Sequence, residues 1–172
     1  MVEAEPPLRN GSFANVLEEY VEAKMFMTWL YGKASTSAAT TTINNSSPMD
    51  IASGVVLLPA DFDIHLEPEE YLGGLCDLTG EVGRYAVQRG TARDARGVQL
   101  CLQTNSDIYT ALQSLERLPG GNSMGKKLDA VRQSVWKLER MLYEMSLSEA
   151  AGGRNVQTNS MEISEEKGES QD

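Results

Sequence analysis

Tyr71-Leu72-Gly73-Gly74-Leu75-Cys76-Asp77-Leu78-Thr79-Gly80-Glu81-Val82 is the stretch whose reading decides the fold. Pro68 precedes it, where the first turn of a helix tolerates a missing N–H, and Glu69 and Glu70 follow where the macrodipole favours acids. Tyr71, Leu72, Leu75, Leu78, Val82, Tyr85 and Ala86 recur at steps of three and four, which predicts a helix with one apolar stripe. Gly73, Gly74, Gly80 and Gly83 each cost about 1 kcal/mol of helix stability relative to Ala. Close approach of another backbone is their expected benefit. At Gly80 tight packing is favoured over room for a metal or phosphate. Asp77 and Glu81, four residues apart, share one side of this helix.

A second acidic pair lies upstream, in Leu17-Glu18-Glu19-Tyr20-Val21-Glu22-Ala23. Phe13, Val16, Leu17, Tyr20, Val21, Met27, Leu30 and Tyr31 predict a helix over residues 12–32, capped by Ser12 and stopped by Gly32. Glu19 and Glu22 fall on one side of it. The plain reading of either pair is a solvated helix face, since Asp and Glu are rarely buried. Two details weigh against it. Apart from Arg84, neither pair has a basic residue three or four positions away on its face. Val21, Leu78 and Val82 also crowd the acidic stripe. If the two helices pack together, four carboxylates converge, and a hard divalent cation such as Mg²⁺ is the usual remedy for their repulsion.

The other segments support an all-α chain. A third helix is expected over about 94–117, with Val98, Cys101, Leu102, Ile108, Tyr109, Leu112 and Leu115 as core, ended by Pro119-Gly120-Gly121. A fourth runs from Asn122 or Ser123 to about Leu147, with Leu128, Val131, Val135, Leu138, Leu142 and Met145 at core spacing. Ala151-Gly152-Gly153 is its expected stop. Residues 1–11 read as a flexible leader. Residues 33–66 read as a variable insertion, with Val55-Val56-Leu57-Leu58 a packed loop rather than a strand. Residues 149–172 read as an acidic disordered tail. One helical domain over 12–148, with long antiparallel helices, accounts for the pattern.

The 172-residue chain carries a net charge of −10. That argues against nonspecific nucleic-acid binding by the chain as a whole. Lys126, Lys127, Arg132, Lys137 and Arg140 make the fourth helix mildly basic. Cys76 and Cys101 sit inside apolar patterns and read as reduced, buried thiols, which fits an intracellular protein. They have no partner at zinc spacing, and His65, the sole histidine, falls in an expected loop, so a Ser-His or Cys-His nucleophile is disfavoured. No signal peptide or transmembrane run is apparent, and no membrane partner is expected.

The acidic stretches also carry a resemblance. Glu18-Glu19-Tyr20-Val21-Glu22-Ala23 and Glu67-Pro68-Glu69-Glu70 running on through Glu81 and Gly83-Arg84-Tyr85 resemble the two signature stretches of translin-associated factor X, of the translin family. Lys126-Lys127-Leu128, Gln133 through Glu139 and Leu142-Tyr143 are similar to that family's last long helix. The likeness covers about 12–148 and is weakest over 33–66 and 90–108. It implies a seven-helix, translin-like antiparallel bundle and a Mg²⁺-dependent endoribonuclease subunit, with Mn²⁺ as a substitute. Such a subunit joins a translin-like partner in a hetero-oligomer in the cytoplasm and nucleus and trims small or single-stranded RNA, including silencing passenger strands and tRNA fragments. The family's acidic site maps onto Glu19, Glu22, Asp77 and Glu81, with Glu22 and Glu81 the foremost metal ligands. Glu18 is a rival for Glu19, but the register against Tyr20-Val21-Glu22-Ala23 selects Glu19. The chain starts close to the first acidic motif, so it is expected to be truncated and to lack the family's N-terminal helices.

Carboxylate-held Mg²⁺ suits phosphodiester hydrolysis, because it acidifies bound water and neutralises phosphate charge. Lys126, Lys127 and Arg132 are weak candidates for steering RNA phosphates, with a solvated face as the favoured reading of each. The rival to an enzyme is a non-catalytic helical subunit that docks a partner on exposed apolar stripes. Direct DNA binding is a third reading, poorly suited to so acidic a chain.

Overall fold

The computed structural model describes residues 12–32, 52–115 and 119–166, and among these the regular structure is helical throughout. The helices are α1 (Ser12–Tyr31), α2 (Pro68–Thr91), α3 (Ala95–Gln113) and α4 (Gly121–Glu166), with a short 3₁₀ turn at Pro59–Asp61. The leader over 1–11 and most of the 33–66 insertion lie outside the described residues.

Local chemistry sets the helix ends. Gly32 takes a φ of +82°, and its N–H donates to the Thr28 carbonyl at 2.7 Å, which stops α1 as expected. Pro68 opens α2, and the Glu67 N–H donates to Glu70 Oε2 at 2.8 Å. Asp94 caps α3 by accepting from the Gly97 N–H at 3.0 Å, and Arg89 Nε of α2 donates to the same carboxylate at 2.7 Å. α4 departs from expectation, because Ala151-Gly152-Gly153 does not end it and helix continues to Glu166. Glycine weakens a helix but keeps its N–H and fits helical φ and ψ. Only proline removes the donor, and none follows Pro119.

The core gathers Val21, Met25 and Trp29 of α1, Leu78, Val82 and Ala86 of α2, Cys101 and Leu112 of α3, and Val131 and Leu138 of α4. The α2 stripe is the one expected. The α1 face is rotated from the expected one, with Phe13, Val16, Met27 and Tyr31 exposed while Met25 and Trp29 are fully buried. α1 is apolar nearly all round, so periodicity alone could not choose its inner face. Leu115, expected in the core, lies past the end of α3 and is exposed.

Helix directions also need correction. Glu18 and Val21 lie against Gly73 and Gly74, and Trp29 meets Tyr85 edge-on at 5.2 Å, so α1 and α2 run parallel. Asn105 reaches Thr79, while Gly97 lies beside Arg89, so α3 is antiparallel to α2. Cys76 meets Met124 and Gly90 meets Met141, so α4 again runs with α2. Two parallel neighbours need a connection that travels back about one helix length, roughly 30 Å for twenty residues. The segment after residue 51 supplies it. Ser53 and Gly54 bond to the end of α1 through the Leu30 and Trp29 carbonyls, Leu57 accepts from the Tyr71 hydroxyl at 3.0 Å, and Asp63 pairs with Lys24 near the start of α2. Leu57 is buried on the way, so 55–58 is the packed loop expected.

The glycines divide by position. A β-carbon on Gly74 would stand 2.8 Å from the Glu18 backbone oxygen and 2.6 Å from Val21 Cγ1, so the α1–α2 approach requires glycine there. Gly80 is exposed, and a β-carbon there would meet nothing within 4 Å, which overturns packing as its role. Gly74→Ala should therefore destabilise the protein by about 1–3 kcal/mol through overpacking. Gly80→Ala should stabilise it by about 0.5–1 kcal/mol through helix propensity alone. Urea unfolding of both variants checks this, and a Gly74→Ala protein as stable as wild type would contradict the close contact.

Candidate functional site

The parallel packing of α1 on α2 draws the two acidic stretches onto one seam, and α4 closes it. Lys127 of α4 places its Nζ 2.6 Å from Glu18 Oε2 and 2.6 Å from Asp77 Oδ2, and points at the Gly73 carbonyl oxygen at 3.5 Å. Its side chain is only 25% exposed. Burial works against the ammonium, but the hydrogen bonds to Asp77 and Glu18 outweigh it and hold Lys127 above the usual lysine range. One cation thus links α1, α2 and α4. Lys127 therefore does not lie on a solvated face of α4.

Glu22 sits beside this pair. Its carboxyl is pushed above the usual range, first by burial and then by the negative charges of Asp77 and Glu19, with Arg84 and Lys127 offsetting only part. Glu19 is exposed on the outer edge of the same helix. Glu81 lies one turn beyond Asp77 and is ion-paired with Arg84. The structure thus brings Glu22 and Asp77 into mutual influence, keeps Glu19 within electrostatic reach, and ties Glu81 to its own α2 neighbour. Glu18, which register ranks behind Glu19, is the α1 partner of Lys127. Lys126 is exposed, and Arg132 pairs with Asp129 at 3.1 Å and covers the Trp136 ring.

Among the described residues, no three acidic, histidine or cysteine side chains are grouped closely enough to hold a metal ion as they stand. The donor chemistry fits Mg²⁺ or Mn²⁺, since all four acids offer hard oxygens. Burial first, and then the charges of Asp77 and Glu19, disfavour the Glu22 carboxylate, and an added cation would favour it. Two of the four acids, however, already hold a basic side chain.

The thiols take no part. Burial pushes Cys76 up to about 11 and Cys101 up to about 12, so neither is a thiolate at neutral pH. His65 is exposed, with its Nε2 3.4 Å from Glu67 Oε1.

The Glu22 shift has a thermodynamic consequence. A carboxyl whose folded pKa lies above its unfolded value binds more protons when folded, so stability falls as pH rises through that window. Glu22→Gln should then melt higher than wild type at pH 7, and the gap should close as the pH falls below about 4, near the ordinary Glu value. Thermal melts across pH check this. A Glu22→Gln protein less stable than wild type at pH 7 would mean that Glu22 is a favourable ion-pair partner instead.

A model of the translin family matches residues 9–149, and the chain belongs to that family. It is 26% identical over 138 residues to the Translin-associated protein X homolog of Schizosaccharomyces pombe, covering 78% of this chain and 51% of that protein. It is 33% identical over 95 residues to Translin of Gallus gallus, covering 52% of this chain and 40% of that protein. The chain therefore spans about half the length, or less, of these curated relatives. In fold it is similar to a chain of the AfC3PO–duplex RNA complex, with a TM-score of 0.60 at 20% identity over 86% of this chain and 67% of that one. No described helix is long and apolar enough to cross a membrane.

Proposed function

We propose that this chain is the catalytic-type subunit of a translin-family hetero-oligomer that cleaves small or single-stranded RNA with Mg²⁺, Mn²⁺ serving as a substitute. One observation carries the reading: packing of α1, α2 and α4 gathers Glu18 and Asp77 around the single cation Lys127 with Glu22 half-buried beside them, raised first by burial and then by the charges of Asp77 and Glu19 despite two basic neighbours. Structural ion pairs normally balance their charges, and this seam does not. Glu22 and Asp77, with Glu19 and Glu81 beside them, would hold the ion. When bound, it acidifies water and neutralises phosphate charge. Glu22, half-buried and already inclined to keep a proton, is the group best suited to take one from an attacking water or to return it to a leaving oxygen. A chain of net charge −10 repels RNA, so a translin-like partner must supply the basic surface. The similarity to both translin-type relatives, and in fold to a chain from a duplex RNA complex, supports that assembly. Silencing passenger strands and tRNA fragments, in cytoplasm and nucleus, are the substrates this proposal assigns to it.

A second reading has its own observation. Lys127 bridging Glu18 and Asp77 is what a structural ion-pair seam looks like, which favours a non-catalytic subunit docking its partner. DNA as the ligand has no separate support. The deciding assay is cleavage of a short single-stranded RNA by the chain reconstituted with a translin-like partner. Cleavage that needs Mg²⁺ and stops with EDTA is expected. An assembled complex that binds RNA without cutting it would leave the second reading.

A further inference from the structure

We propose that α4 carries a self-association face: Trp136, Arg140, Tyr143 and Leu147 pair antiparallel with the same stripe of a second copy of this chain. The inference goes beyond the reading above and stands without it. Trp136, Tyr143 and Leu147 are 61%, 63% and 50% exposed. With Arg140 they follow steps of four, three and four, the spacing of a helix that pairs with another. α4 packs on α2 and α3, which leaves this stripe uncovered. At about 100° per residue it lies on the opposite side of α4 from Lys127, so an occupant would leave the acidic seam open. Large exposed apolar residues in one patch mark a docking surface. The charges among them select the occupant. Laid antiparallel on itself about a two-fold axis, the stripe sets Trp136 against Leu147 of the second copy, and Arg140 against Tyr143 of the second copy, each contact made twice. The first is apolar and the second is cation–π. Beside them Lys137 falls opposite Glu144 of the second copy, again twice. A parallel pairing in register would instead stack Arg140 on Arg140. Asp129 to Leu147 holds three acids and three bases, so the two faces do not repel although each copy carries −10 overall. Arg140 and Glu144 bond at 2.8 Å within α4, but that pair is largely exposed and contributes little, so both ends can turn to the second copy. Base stacking on Trp136 and Tyr143 is the other use of such rings. The aliphatic Leu147 and the balanced charge favour a protein surface. One helix per copy makes a small interface, which sets the expected dissociation constant in the micromolar range.

The test is sedimentation velocity on the full chain at rising concentration. Wild type should pass from monomer to dimer. Lys137→Glu puts two acids together at each flank, and Glu144→Lys puts two bases together, so each variant alone should dimerise about 10-fold more weakly or worse. Mixed in equal amounts, the two variants regain both ion pairs and should associate about as tightly as wild type. Only antiparallel pairing of this face with itself predicts that recovery. Trp136→Ala and Tyr143→Ala change exposed positions, so both should keep the wild-type circular dichroism spectrum and remain monomeric. A wild-type chain that is monomeric at every concentration would overturn the proposal. So would dimers that persist in both alanine variants, or charge variants that do not recover on mixing. A monomeric chain whose Trp136 is covered only when a short single-stranded RNA or a translin-like partner is added would also overturn it, and would assign the face to that ligand.

Discussion

Trp29→Ala is expected to cost about 3–5 kcal/mol of folding stability, the range for removing a fully buried aromatic ring. Total stabilities of domains are about 5–15 kcal/mol, so the variant should be partly unfolded at moderate temperature. Trp29 has no exposed surface and touches three helices. Its ring stacks on Phe26 at 6.1 Å, meets Tyr85 edge-on at 5.2 Å, and its Nε1–H donates to Thr104 Oγ1 at 3.0 Å. Alanine would leave a cavity at the junction of α1, α2 and α3 that rigid helices cannot close. Trp29→Phe separates the two contributions. It keeps most of the ring but removes the donor, and should cost about 1–2 kcal/mol. Urea unfolding followed by circular dichroism avoids the signal of the exposed Trp136. A Trp29→Ala protein within about 1 kcal/mol of wild type would show that α1 is not docked as described.

Trp29 also shows where sequence reading reaches its limit. α2 is legible because its stripe from Tyr71 to Ala86 is bordered by glycines and charges, so only one face can go inward. α1 offers apolar residues on every side, and the wrong face looks as good as the right one. The parallel course of α1 and α2 leaves no local trace. It depends on how the chain after residue 51 returns, through Ser53, Leu57 and Asp63, and each of those contacts spans more than ten residues of sequence. The acidic pairs themselves are legible from helical spacing. Their cation is not, because Lys127 lies 50 residues from Asp77 and 109 from Glu18 and belongs to a helix rich in other lysines and arginines. Glu18, Glu22 and Asp77 drawn onto one seam do require a positive charge. In this structure the charge comes from a side chain, and only three-dimensional packing reveals which one. The same packing favours Glu18 over Glu19 as the inward acid, since a one-residue step turns a helix by about 100°.

Glu22→Ala should lower RNA cleavage by the reconstituted complex about 100-fold or more, the lower end of what a positioned proton-transfer group contributes, with further loss if it also holds the ion. Glu22 is half-buried at the α1–α2 seam but contributes no apolar core, so assembly should survive the change. Glu81→Ala should also abolish cleavage if Glu81 leaves Arg84 to join the ion, as the foremost-ligand role requires. If the Glu81–Arg84 pair is purely structural, loss of an ion pair exposed on its Arg84 side should cost about 1 kcal/mol and leave cleavage intact. The isosteric Glu22→Gln variant excludes a packing explanation. It preserves shape, should gain stability at pH 7 by relieving the crowded charge, and should still fail to cleave. Stability rising while activity falls is the signature of a group retained for chemistry at a cost to the fold, a pattern that a structural ion-pair seam cannot produce. The measurements are initial cleavage rates of a short single-stranded RNA, with assembly followed by size-exclusion chromatography. Undiminished cleavage by Glu22→Gln and Glu81→Ala in a fully assembled complex would place the chemistry outside this seam.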